Sequence, residues 1–493
     1  MNRALKRISL AVLAMFLLLL INVNYPQGFD TSSLAAEPFN TRTLTNQVQY
    51  QRGPIVTSDG VTIAESKPSG DIFKYQRAYS NGPVYSPVTG YDTLYSQTGI
   101  EFAENNLLAG NDNALAIRNF IDMITNKPRK GATVQTTINS KAQNAAYNGL
   151  VQKLQGTGRS GGVVAVNPRT GAILAMASYP SYDPNQLATH DGTLLNTRDK
   201  ALLADPQNPL LDRATHVTFP PGSTFKIITS STLLSQQPGT NPNTQVASPT
   251  TLTLPQTSHI LHNDNNTVCG NGGGQAPLIT AFAQSCDTTF AKIGMDVGGQ
   301  ALNNMATAFG MNSSSLKIPF SVTPSNYVIP PSLALTAFSA IGQFSDTVTP
   351  LQEAMFAAAI ANNGTLMKPY LVQQVTASDL SVVQQATPSV LSQPVSASVA
   401  NEVKQMMTAV VQQPDGTASA FNQASVGVEI AGKTGTAQNG INNTGLNDAV
   451  FTAFAPVANP QIAVGVIVGG GGYGASAAAP IAVQVIKAYL GIK

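Results

Sequence analysis

The period of the hydrophobic pattern changes several times along the chain, and each change predicts a different kind of element. Residues 8–23 form an apolar run broken only by Ser9 and Asn22, with Arg3, Lys6 and Arg7 just before it. The next stretch is polar, with short strand-like runs such as 54–57 and turn signals at Asp59-Gly60 and Thr89-Gly90, the pattern of an irregular β-rich module. The Gly-rich segment 155–162 reads as a linker. After it, residues 163–166 predict a buried strand, Arg169-Thr-Gly171 a turn, and 172–177 the return strand of a hairpin. Helical periodicity follows Ser223 and recurs at 349–362, where Thr349 can cap and Pro350 takes the first position, and at 396–413. The chain then returns to strand-like runs at 427–431, 451–455 and 462–468, and closes with a helical pattern at 477–490 that has Pro480 in its first turn.

Strands on both sides of a helical block predict an α+β domain whose single antiparallel sheet is assembled from both ends of that block and covered by helices. The expected organisation is a cytoplasmic tail and membrane anchor at 1–25, an elongated β-rich non-catalytic domain at 26–158, and a catalytic domain at 159–493. At 493 residues the chain is too long for one ordinary core. No internal repeat or heptad pattern stands out.

The first 23 residues have the charge-then-apolar order of an export signal. Sixteen helical residues reach about 24 Å, and Tyr25 and the basic residues can bridge the remainder of a ~30 Å hydrocarbon core. Cleavage is the rival reading. The nearest small-x-small site, Ser33-Leu34-Ala35, lies well past Val23, which favours a retained single-pass anchor with the rest of the chain outside the cytoplasmic membrane. In that compartment the two cysteines, Cys269 and Cys286, favour one disulfide over two buried thiols. Charged residues are 11% of the chain and the net charge is +2, so the basic footprint of a nucleic-acid binder is missing.

Candidate chemistry begins with Gly-Val-Glu-Ile-Ala-Gly-Lys-Thr-Gly-Thr at 427–436. It matches both a phosphate-binding loop and the Lys-Thr-Gly of penicillin-recognising enzymes. The phosphate loop fails, because Val428 to Ala431 favour an extended strand and the Gly- and Asn-rich continuation cannot open a helix. Lys433 is instead expected at the end of a strand, with the hydroxyls of Thr434 and Thr436 beside it, a pattern suited to a substrate carboxylate. A nucleophile is offered by Ser223-Thr-Phe-Lys226, since residues three apart on a helix share a face and a desolvated lysine can activate a serine. Pro220-Pro221-Gly222 places Ser223 near a helix N-terminus, where amides favour an oxyanion. Ser-x-x-Lys alone is weak, and a second copy at Ser314 to Lys317 reads as a surface turn before Pro319. The third element, Ser285-Cys286-Asp287, lies 62 residues after Ser223 and 148 before Lys433. The three in this order are the set of penicillin-binding proteins and class A β-lactamases.

On these motifs, with Arg52-Gly-Pro-Ile55, Gly60, Gly99-Ile-Glu101, the run 167–176, Pro180, Asp183-Pro-Asn185 and Phe219 to Lys226, the sequence resembles the class B penicillin-binding proteins over nearly its whole length, in particular the A type of actinobacteria. The resemblance implies a D,D-transpeptidase without a glycosyltransferase domain, cross-linking peptidoglycan stem peptides of a lipid-linked polymer at the cytoplasmic membrane. It implies β-lactams as inhibitors, and glycosyltransferase or division proteins as partners. By the same resemblance Ser223 is the nucleophile, Lys226 its base, and Ser285 a proton relay. The amides of Ser223 and Thr436 form the oxyanion hole, and Lys433, Thr434, Gly435 and Thr436 hold the terminal carboxylate. The sequence departs from the family where Asp287 replaces the usual Asn. An ionised Asp287 cannot donate to the substrate carbonyl and favours a charged Lys226, so slowed acylation is expected.

Four alternatives carry less weight. A D,D-carboxypeptidase or β-lactamase needs a deacylating Glu that the chain does not reveal, and a β-lactam sensor or silent division scaffold is left open by Asp287. A metal site at His259, His262 and Cys269 lacks four-ligand spacing, and His216 has no G-x-S-x-G elbow beside it. No cofactor or metal is expected.

Overall fold

The computed structural model describes residues 3–29, 50–125, 128–438 and 445–492. Helix α1 (Arg3–Phe29) has 27 residues and is about 40 Å long. Its segment Leu5–Asn22 has a mean hydropathy of 2.0, and none of it is buried against the rest of the protein. It is long and apolar enough to cross a membrane.

The N-terminal module contributes β1 (Ile55–Val56), β2 (Thr62–Pro68), β3 (Tyr75–Tyr79) and β4 (Thr133–Thr136). It is more helical than its polar sequence suggests, with helices at Gly82–Thr89, Gly99–Ala103, Asn105–Leu108 and Ala116–Ile124. Helix α2 (Ser140–Leu154) follows, capped by Asn139, whose side chain accepts from the Ala142 amide. The catalytic region then runs through β5 (Gly161–Val166), β6 (Ile173–Tyr179), α3 (Lys226–Gln236), α4 (Asp287–Val297), α5 (Pro350–Ala361), β7 (Val372–Thr376), β8 (Val382–Gln385) and α6 (Ala397–Gln412). It closes with β9 (Ala431–Ala437), β10 (Asp448–Ala455), β11 (Ile462–Val468) and α7 (Gly474–Leu490).

The catalytic sheet is five-stranded and antiparallel, in the order β9-β10-β11-β5-β6. It joins both ends of the catalytic region, as the strand–helix–strand pattern predicts. Strands β5, β10 and β11 are buried at every residue, because α2 and α7 cover one face and α5 the other. Their apolar runs are therefore continuous rather than alternating. Helix α5 lies so close to β11 that a Cβ on Gly465 would fall 2.4 Å from the Pro350 carbonyl oxygen; only glycine fits there.

Several expectations need correction. Helix α7 begins at Gly474, so Pro480 sits in its second turn rather than its first. A proline there frees the carbonyl four residues earlier, and Lys153 of α2 donates to that Ser476 oxygen at 3.0 Å. Gly427 does not open a strand: it takes the left-handed conformation that ends the short helix Gln423–Val426. Strand β9 therefore starts at Ala431, and Lys433 lies in mid-strand opposite Thr452 instead of at a strand end. The boundary expected at 158/159 falls after α2, yet α2 packs on the catalytic sheet. Conversely, β7 and β8 leave the catalytic region and extend the N-terminal sheet to the order β8-β7-β4-β1-β2-β3. Thr137 is the crossing point: its amide donates to Leu371 O at 2.8 Å, and its hydroxyl to Ile173 O at 2.6 Å.

Candidate active site

Three segments meet at the edge strand β9. Ser223 lies in the 3-10 turn Gly222–Phe225 that runs directly into α3. The turn is held by the Gly222 amide donating to Gly342 O at 2.9 Å. A Cβ on Gly222 would approach Thr436 O to 2.9 Å, so the turn and β9 lie side by side. Ser285 occupies the left-handed position that ends the helix Leu278–Ala283, with φ of 62°, a conformation that costs a residue with a side chain about 1–2 kcal/mol. Asp287 opens α4, where a carboxylate faces the positive end of the helix dipole. Cys286 between them is joined to Cys269, 17 residues away, which ties the loop 263–274 to this corner.

The polar atoms converge on Ser285. Lys226 Nζ donates to Ser285 O at 2.7 Å, to Ser285 Oγ at 3.2 Å and to Asp287 Oδ1 at 2.7 Å. Lys433 Nζ donates to the same Ser285 Oγ at 2.8 Å and to Thr434 O at 3.1 Å. Ser285 therefore links two fully buried lysines. They also face the rings of Phe290 and Phe282, at 5.5 and 5.6 Å from the centroids, a contact that offsets part of the cost of burial. An ammonium has three hydrogens, and those of Lys226 have three acceptors in Ser285 and Asp287. The hydrogen bond expected from Lys226 to Ser223 is accordingly not formed among the described residues. Burial lowers the Lys226 pKa, and the neighbouring Asp287 opposes the shift without reversing it. Burial lowers Lys433 further, with the Lys226 charge adding to the effect and Asp287 again opposing it.

A cavity of about 730 Å³ opens above these groups, lined among others by Ser223, Ser285, Asp287, Thr434 and Thr436. Sequence reasoning missed Thr417 on this wall, whose hydroxyl is 2.7 Å from that of Thr434. Its isolated position in a loop carried no signal. His259 and His262 are exposed and also line the cavity; no cluster of three metal-ligating side chains occurs among the described residues. His216 lies elsewhere, 3.5 Å from Asp212, and Ser314 is exposed in a turn.

A serine at the head of a helix, two buried lysines bridged by a second serine, and a Lys-Thr-Gly edge strand define a penicillin-recognising serine acyltransferase. The comparisons with known proteins then narrow the class. Residues 161–487 match the penicillin binding protein transpeptidase domain, and 52–134 the penicillin binding protein A dimerisation domain. The chain is 40% identical to the peptidoglycan D,D-transpeptidase PbpA of Mycolicibacterium smegmatis and 38% to that of Mycobacterium tuberculosis, in each case over 99% of both chains. It superposes on the M. tuberculosis penicillin-binding protein A acyl-enzyme with ceftriaxone with a TM-score of 0.85 and 36% identity, over 90% of this chain and 100% of that one. The chain belongs to the class B penicillin-binding proteins.

Proposed function

We propose that this D,D-transpeptidase works through Ser223, and that the convergence of the two lysines on Ser285 carries the reading. Ser223 Oγ attacks the carbonyl between the last two residues of a stem peptide. The O–C bond forms, the amide C–N bond breaks, and the serine proton travels through Lys226 and Ser285 to the departing D-alanine amine. An amine from a neighbouring strand then attacks the ester and releases Ser223. The terminal carboxylate is held by Lys433 with the hydroxyls of Thr434 and Thr436. Its charge also favours the protonated form of a lysine that burial pushes toward neutrality. The amides of Ser223 and Thr436 serve as the oxyanion hole; the close approach of the nucleophile turn to β9 supports this pairing. As the outermost strand, β9 offers free backbone groups along which an extended peptide can lie. A β-lactam replaces the first amide with one whose leaving nitrogen stays attached, so it blocks the second amine.

The basic residues Arg3, Lys6 and Arg7 in the first turns of α1 support an anchor with its N-terminus in the cytoplasm and the catalytic region outside. That placement suits lipid-linked substrate and partner glycosyltransferase or division proteins.

The test is intact-mass measurement after incubation with a labelled penicillin. One stable adduct is expected on the wild type and on Ser314→Ala, and none on Ser223→Ala. An adduct that survives Ser223→Ala overturns the assignment.

A further inference from the structure

Beneath the nucleophile lies a carboxyl group that the reaction above does not use. Glu353, on the face of α5 that covers the sheet, is fully buried. Its Oε1 is 2.7 Å from the hydroxyl of Thr224, the residue next to Ser223. That hydroxyl also lies 2.9 Å from Pro221 O. A hydroxyl has one hydrogen and a carbonyl oxygen has none. If Thr224 donates to Pro221, the only group left to supply a hydrogen between Thr224 and Glu353 is the acid itself. The remaining carboxyl oxygen, Oε2, has no hydrogen-bond partner among the described residues, which suits a neutral acid far better than a carboxylate.

The geometry points to Glu353 as a positioning residue. In its protonated form it donates to Thr224, which donates to Pro221 O, and this chain clamps the turn that aims Ser223 into the cavity. Ionisation of Glu353 turns the donor into an acceptor and breaks the chain. The reading rests on Ser223 being the nucleophile.

Among the described residues, the surroundings leave the acid without a counter-charge. Strands β5 and β11 carry no titratable side chain. On β10 the Asp448 carboxylate accepts from the Gly470 amide, and the Thr452 hydroxyl donates to the Glu353 backbone oxygen. On β9 and α3, Lys433 and Lys226 both point at Ser285. Helix α6 carries Glu402 and Lys404, and no ion pair joins either to Glu353 among the described residues. Burial pushes the Glu353 carboxyl up to about 8, against the Thr224 hydrogen bond. The clamp is therefore closed at neutral pH and opens as the pH rises past that value.

The experiment measures the acylation rate constant with a chromogenic β-lactam from pH 6 to 9.5, together with thermal unfolding, for the wild type, Glu353→Gln, Glu353→Leu and Thr224→Val. Glutamine keeps a donor and cannot ionise. The wild type should lose acylation above about pH 8, and Glu353→Gln should not. Glu353→Leu and Thr224→Val should be slowed about tenfold at pH 7, as expected for a buried hydrogen bond removed, with no fall above pH 8. Glu353→Gln should restore most of the rate that Glu353→Leu loses. An alkaline fall that persists in Glu353→Gln overturns the proposal. Should that variant not fold, the same fall in Thr224→Val overturns it. Loss of the labelled-penicillin adduct only in Ser223→Ala separates this outcome from failure of the nucleophile assignment.

Discussion

The molecule buries two clusters of charged side chains, and they are built on contrary rules. In the N-terminal module Glu101 receives Arg52 Nε and Arg77 Nε, each at 2.6 Å, while Arg52 also donates to Glu101 O and Asn105 Oδ1, and Arg77 to Gly53 O. Burial pushes the Glu101 carboxyl up, but Arg77 and Arg52 outweigh it and hold it below its usual range. Almost every donor is satisfied; of the cluster's guanidinium nitrogens, Arg77 Nη2 alone lacks a partner among the described residues. At the active site two lysines share one carboxylate, and burial drives both toward neutrality. The first cluster is fixed because its charges are matched: Asp92, whose Oδ2 lies 3.6 Å from Arg52 Nε, supplies a second carboxylate for the two guanidinium groups. The second is left short of negative charge, which keeps its protons mobile and leaves room for a substrate carboxylate.

The comparison breaks first at Glu101. Glu101→Leu strands two buried guanidinium groups and should destabilise the protein by about 3–5 kcal/mol in denaturant unfolding, while acylation of the folded fraction continues. A loss below 1 kcal/mol would mean the network is only decorative. Asp287→Asn should act the other way, on rate more than on stability. Asp287 raises the Lys226 pKa, so its removal lets Lys226 become neutral at lower pH. The acid limb of the acylation profile should then move to lower pH, with about a tenfold gain near pH 7; an unmoved limb would sink the idea.

Lys433→Met sharpens the contrast on the stability side. A base whose folded pKa is depressed binds fewer protons than the unfolded chain, so its presence weakens the fold below its unfolded pKa and this penalty fades as pH rises. The methionine variant should be more stable than wild type at pH 7 by about 1 kcal/mol and converge with it at alkaline pH, while acylation collapses. Arg77→Met should lose stability instead. The smallest effect is expected at Thr417→Val, which removes the hydroxyl beside Thr434 and should slow acylation by a few-fold, about 0.5–1.5 kcal/mol. Equal rates would remove Thr417 from the site.

How much of this the sequence discloses follows the distance over which partners are separated. Ser223, Lys226 and Lys433 stand in short motifs whose chemistry is local, and the hairpin 161–179 and the capped helices after Thr349 and Ser396 are equally local. The cluster around Glu101 is half visible: Arg52 and Glu101 appear as features of a family resemblance, but their pairing across 49 residues is a product of the fold. Glu353 lies 129 residues from Thr224, in an apolar helix where a lone acid reads as a solvated face. Strands β7 and β8 are short and glutamine-rich, so no alternation reveals that β7 pairs with β4 and β8 with β7. The i, i+3 spacing on a helix predicts that Lys226 reaches Ser223; the acceptors that claim it come from a segment about 60 residues later.

The strand addition at β4 also bears on how the protein can move. Two bodies joined by a single stretch of chain can swivel about it. Here the covalent crossing at Thr137 is accompanied by the pairing of Val372, Gln374, Val375 and Thr376 with β4, and two attachments remove the swivel. A pull on the N-terminal module is thereby led along β7 to the end of α5, whose other end lies under the nucleophile, so the molecule is kinematically one lever rather than a head on a stalk.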